Sequence, residues 1–99
     1  MKSSRELTCL GARIKLLKRQ LTEWNELLVQ QREVRRLIHK QVDSQTPVHF
    51  DTMTDKLAYM TSHAVRLVEL GVRQADARQQ MKARHQQEET DLEQQINML

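Results

Sequence analysis

The chain has 99 residues, 38% of them hydrophobic, with only three aromatics, two Gly and one Pro. That is one small domain at most, with little bulk for a globular core and few turns. The single cysteine, Cys9, excludes an internal disulfide, no apolar run is long enough to cross a membrane, and Lys2, Arg5, Glu6, Arg13 and Lys15 leave no room for a signal-peptide core.

A soluble intracellular protein, cytoplasmic or nuclear, is the expectation. Charge is unevenly spread. Residues 1–19 hold six Lys/Arg against Glu6 alone, about +5, whereas residues 85–99 hold Glu88, Glu89, Asp91 and Glu93 and no Lys or Arg. A basic start and an acidic end can attract each other in an antiparallel hairpin, or each can serve a different partner.

The first predicted element opens at Ser3-Ser4-Arg5-Glu6, where Ser3 and Glu6 have capping-box spacing. A heptad then runs without a slip, with Leu7, Ile14, Leu21, Leu28, Arg35 and Val42 at a and Leu10, Leu17, Trp24, Gln31 and Ile38 at d. The spacing predicts a helix over residues 4–43. The stretch DSQTPVHFD breaks it and gives a loop over 44–50, because Pro47 disfavours helix at the residue before it. Thr46 could cap a second helix with Pro47 as its first residue, or that helix could start at Asp51.

The second helix, expected over 51–97, carries the heptad through Phe50, Met53, Leu57, Met60, Ala64 and Leu67 and turns polar from Gln74 onward. Gly71 is a possible break, since glycine costs about 1 kcal/mol in a helix. The fold class expected is all-α, a single domain over residues 1–99 with two long helices in an antiparallel hairpin or coiled coil. A three-helix bundle with a turn near Gly71 is the alternative.

Folding the heptads together a-against-d gives the pairs Val42–Met53, Ile38–Leu57, Arg35–Met60, Gln31–Ala64, Leu28–Leu67 and Trp24–Gly71. This register makes Trp24, Leu28, Ile38, Val42, Met53, Leu57, Met60 and Leu67 the hairpin core. Farther from the loop the match fails: Leu21 meets Gln74, Leu17 meets Arg78, Leu10 meets His85 and Leu7 meets Glu88. A buried Leu or Ile contributes roughly 1.5–3 kcal/mol, so a row of uncovered ones calls for another cover. Leu7, Leu10, Ile14, Leu17 and Leu21 are therefore expected to bind partner helices, from another copy or another protein. Bending at Gly71, so that Leu92, Ile96 and Leu99 fold back over them, is the intramolecular alternative. The polar seam residues Gln31 and Arg35 either fix register or partner choice, or merely snorkel out of the seam.

Chemistry-bearing motifs are scarce. His39, His49, His63, His85 and Cys9 lack zinc spacing, and His85-Gln-Gln-Glu88 has no second ligand pair. Ser62 and His63 are adjacent on a helix and point about 100° apart, which makes no dyad. There is no glycine-rich phosphate loop. An enzyme, a metal and a cofactor are not expected. Arg13, Lys15, Lys18, Arg19, Arg32, Arg35, Arg36, His39 and Lys40 make nucleic-acid binding the competing class, but Glu23, Glu26 and Glu33 interrupt the run and no base-stacking aromatics accompany it. A membrane surface fits less well, because the apolar seam is narrow and lacks Phe or Trp in its first turns.

In architecture the heptad hairpin resembles small hairpin proteins of larger helical machines: export-apparatus stalk proteins and chaperones of bacterial secretion systems, and small subunits of eukaryotic coiled-coil tethering complexes. The resemblance spans the chain and rests on the heptads Leu7–Val42 and Phe50–Leu67. The residues point to a non-enzymatic adaptor or structural subunit that binds partner helices. A secretion-system stalk or chaperone-like protein is the reading the resemblance implies.

Overall fold

The computed structural model describes residues 3–47 and 49–99. It is all-α, with helix α1 at Ser4–Gln45 and helix α2 at Met53–Asn97. The first cap is the expected one, with the Glu6 amide donating to Ser3 Oγ at 3.2 Å. The second cap differs from expectation. Asp55 N–H donates to Thr52 Oγ1 at 3.0 Å, so Thr52 caps α2, not Thr46, and the helix starts after Asp51. Thr46 is otherwise engaged: its hydroxyl and amide both donate to the Val42 carbonyl, which ends α1. Val48, inside the expected loop, lies outside the described residues.

Helix α2 continues through Gly71 with no positive φ, which sets the three-helix alternative aside. A methyl group added at Gly71 would meet nothing within 4 Å, so no close approach demands the glycine.

The chain divides into two compact units. One comprises Met1–Val29 with Arg78–Leu99, and the other comprises Gln30–Ala77. In the second unit the helices run antiparallel, tied by a reciprocal pair. Gln31 Nε2 donates to the Gln74 carbonyl at 2.8 Å and Gln74 Nε2 donates to the Gln31 carbonyl at 2.9 Å. Arg35 Nε adds a bond to Gln74 Oε1, so Gln31 and Arg35 both reach across the seam rather than out of it. Nearer the loop, the hydroxyls of Thr46 and Tyr59 bond at 2.8 Å, and Phe50 lies tilted against Tyr59 with ring centroids 5.5 Å apart. In the first unit Gln20 Nε2 donates to the His85 carbonyl at 3.0 Å, again between antiparallel helices.

These bonds correct the heptad register. Gln31 meets Gln74 rather than Ala64, ten residues farther along α2. Two consequences follow. First, the start of α2 overhangs the end of α1. In the observed register the last residue of α1, Gln45, falls opposite Met60, so Met53 and Leu57 have no residue of α1 across from them. Met53, Leu57 and Met60, expected in the core, are instead exposed, Met53 at 69%. Trp24, Leu28, Ile38, Val42 and Leu67 are half-buried.

Second, in the first unit α1 packs with a different face, whereas in the second unit the inward residues Gln31, Ile38 and Val42 are heptad positions. Its buried residues Cys9, Gln20 and Gln31 recur every eleven residues, with half-buried Ala12, Leu16, Glu23 and Leu27 between them. Eleven residues overshoot three helical turns by about 20°, where seven fall short of two turns by about as much, so the eleven-residue row and the heptad drift in opposite senses.

Each amide donates to a main-chain carbonyl, so substituting one glutamine leaves the other's bond in place and removes only its own bonds, at about 0.5–1.5 kcal/mol each. Gln74→Ala loses the bond to the Gln31 carbonyl and the acceptor of Arg35. It should therefore lower unfolding stability by about 1–3 kcal/mol. Gln31→Leu with Gln74→Leu fills the seam with apolar groups and should be more stable than that single variant. Urea unfolding followed by circular dichroism checks the order. A double variant less stable than the single one would refute this account of the pair.

Candidate interaction surface

Leu7, Leu10, Ile14, Leu17 and Leu21 follow one another at alternating spacings of three and four, so they share one stripe of α1. At 100° per residue that stripe lies roughly 120° around the helix from the face that carries Cys9, Leu16 and Gln20. Helix α2 occupies the latter face. The five stripe residues are accordingly exposed, from 41% for Leu10 to 61% for Leu21. The structure brings all five together on one surface, and in that surface Trp24 and Leu28 continue the heptad as half-buried neighbours. Leu17 also borders a shallow groove whose other walls are Arg13, Leu16, Glu89, Leu92 and Glu93.

The fold-back alternative for Leu92, Ile96 and Leu99 is not what is seen. Leu92 and Ile96 are half-buried while Leu99 is exposed, and the stripe stays open.

Beside the stripe, charged side chains pair within the first unit. Arg13 makes a bidentate pair with Glu93, at 2.7 and 2.9 Å. Arg19 binds Glu88 at 2.7 Å and Glu23 at 3.3 Å, and Arg84 binds Glu23 from α2. The basic start and acidic end of the chain thus meet across the seam. The hydrogen bond from Arg19 holds the Glu88 carboxyl below its ordinary pKa, and that from Arg13 does the same for Glu93. In the second unit Arg36 depresses Glu33 through an intrahelical pair.

His85 and Glu88 share a turn, as the sequence indicates, and Glu23 joins them from α1. Their ligand-type atoms lie within 4.8 Å of one another. His85 Nε2 is buried without a hydrogen-bond partner, 3.9 Å from Glu23 Oε1. Both carboxylates are already bound by Arg19 or Arg84, so a cation would have to displace guanidinium groups. Of the basic residues that suggest nucleic acid, Arg13, Arg19 and Arg36 are spent on carboxylates and Arg35 on Gln74.

A second exposed row escaped sequence reasoning. On α2 of the second unit, Leu57, Val65, Val68 and Val72 are all at least half exposed. Their spacing of eight, three and four was available in the sequence, but the heptad frame assigned Leu57 to the core and ignored the valines.

No protein-family model, curated protein or solved structure matches the chain.

The depressed carboxylates carry a pH dependence of known sign. A group whose pKa falls on folding contributes stability above its unfolded pKa, and that contribution is lost as pH falls through the folded value. The thermal midpoint should therefore drop as pH is lowered below about 5, the upper edge of the carboxylate range. The drop should shrink in 1 M salt, because the pairs are exposed and screened. Glu88→Gln with Glu93→Gln should flatten that acid limb. An acid limb equally steep in the variant would rule these two groups out as its cause.

Proposed function

We propose that this chain is a non-enzymatic interaction protein, a small adaptor or structural subunit that binds partner helices through Leu7, Leu10, Ile14, Leu17 and Leu21. One observation carries the reading: α1 has two seams, and the more apolar of them is the one α2 leaves open.

The physical argument is comparative. The covered face of α1 holds Cys9, Ala12, Leu16, Gln20, Glu23 and Leu27; the open stripe is all Leu and Ile. Were hairpin stability the only constraint, the leucines would face α2. Each of them gains roughly 1.5–3 kcal/mol on full burial, and several in one stripe make an apolar surface of the kind that marks protein–protein contact. Their alternation by three and four is the pattern that lets one helix insert knobs into the holes of another. The contact is thus helix against helix, and catalysis has no part in it.

The double variant Leu10→Asp, Leu17→Asp tests the reading. Both side chains are exposed, so helicity and the thermal midpoint should change little, while association with self or partner is abolished. Light scattering and circular dichroism on the same sample read both properties. Leu16→Asp, one residue from Leu17 but at the α2 seam, should instead destabilise the fold. Unfolding by the double variant, with no change in association, would overturn the proposal.

A further inference from the structure

Resting on the stripe reading above, we infer that its occupant is a second copy of this chain, docked parallel so that the two leucine stripes face each other across a two-fold axis. The edges of the stripe in the first unit carry the argument, because they differ in sign. On the edge nearer α2, Leu17 borders Glu89 and Glu93 together with Arg13. Arg13 is neutralised there by Glu93. That leaves Glu89, which makes no ion pair among the described residues, as the free charge of this edge. The opposite edge holds the heptad e positions Ser4, Gly11, Lys18 and Asn25, of which Lys18 alone is charged. Lys18 is exposed and likewise makes no ion pair among the described residues. Lys15 takes no part, since it lies in the other groove of this unit with Glu88 and Asp91.

Charges along such edges select partner and orientation. Parallel pairing sets the e edge of one copy against the g edge of the other, so Lys18 faces the place where Arg13 is already held and Glu89 stands free beside Leu17. The two-fold axis makes this contact twice. Antiparallel pairing sets like edge against like. It brings Glu89 and Glu93 of both copies together and gives Lys18 no acid to meet, and like charges facing each other are unfavourable. The seam fits the parallel geometry as well. A β-branched residue at a with Leu at d favours parallel two-stranded pairing, and Ile14, the central a residue, stands between Leu10 and Leu17 at d. In that pairing the Leu10 knob of one copy enters a hole that has Gly11 of the other at its corner. A methyl group added at Gly11 meets nothing within 4 Å in the single chain, so that corner is open.

The test uses the full chain carrying Cys9→Ala, so that any thiol present is an introduced one. Light scattering at micromolar concentration should show a dimer, and Leu10→Asp with Leu17→Asp should return it to a monomer of unchanged helicity. Leu7→Cys and Leu21→Cys, each alone, should give a disulfide-linked dimer on mild oxidation, because parallel pairing sets each position against itself. Antiparallel pairing would hold like positions about 21 Å apart and link only a mixture of the two variants. Lys18→Glu should weaken the dimer at least tenfold at low salt, and Glu89→Lys should do the same. The two changes together should restore it, and all these differences should shrink in high salt. A dimer linked only in the mixture, or a charge reversal that the double change fails to rescue, would overturn the inference and leave the stripe reading standing. So would a monomer that binds a synthetic helical peptide with Leu and Ile at a and d, provided the Leu10→Asp, Leu17→Asp variant does not. A monomer that binds vesicles of phosphatidylglycerol, with binding lost in that variant, would assign the stripe to a lipid surface and overturn both. A dimer that survives Leu10→Asp with Leu17→Asp, or absence of self-association, peptide binding and vesicle binding together, would likewise overturn both.

Discussion

The register between the helices rests on glutamine amides that reach the main chain of the opposite helix. Gln31 and Gln74 each donate a side-chain amide to the other's backbone carbonyl, and Arg35 completes the acceptor side of Gln74. A leucine seam tolerates sliding by a heptad, because one apolar knob fits many apolar holes. A slip here would part Gln74 from Arg35, and a buried amide left with no carbonyl in reach would cost about 1–3 kcal/mol in that low-dielectric setting. In the first unit Gln20 does the same work with the His85 carbonyl. Polar seam residues of this kind give up stability in exchange for a single alignment.

Once the register is set, the rest of the arrangement follows. The overhanging first turns of α2 expose Met53 and Leu57, because nothing of α1 stands opposite. The face of α1 turned to α2 is the eleven-residue row that contains Cys9, Gln20 and Gln31, so the leucine stripe must point elsewhere. The acidic end of α2 then lies within reach of Arg13 and Arg19, and the ion pairs trim the hairpin's edges without defining it. Exposed pairs of this kind add little each, which is consistent with the register being held by the amides.

The sequence made some of this plain and hid the rest for identifiable reasons. Two long helices, the Ser3 cap, the break around Pro47 and the clustering of Leu7, Leu10, Ile14, Leu17 and Leu21 were all legible from periodicity and local chemistry. The register was not. Scoring apolar residues only, the strongest repeat in α1 is the heptad, and Gln20 and Gln31 count against any frame that buries them. Their fitness for burial depends on a carbonyl of the other helix, a non-local fact that no spacing rule contains. The Thr52 cap was missed for a related reason: Thr46 and Thr52 are both competent caps, and the choice between them depends on Thr46 being taken by α1 and Tyr59.

The polar character of residues 73–95 acquires a physical meaning on this view. A helix so poor in apolar residues can pack only against a face that offers small groups, amide partners and counter-charges. Gln74, His85, Glu88 and Glu93 find these in Gln31, Gln20, Arg19 and Arg13. A more apolar α2 would compete for the leucine stripe and fold over it. By pairing through amides and ions, α2 completes the hairpin along one side of α1 while leaving the apolar side free. The same polarity that weakens α2 as a core element thus keeps the binding stripe uncovered.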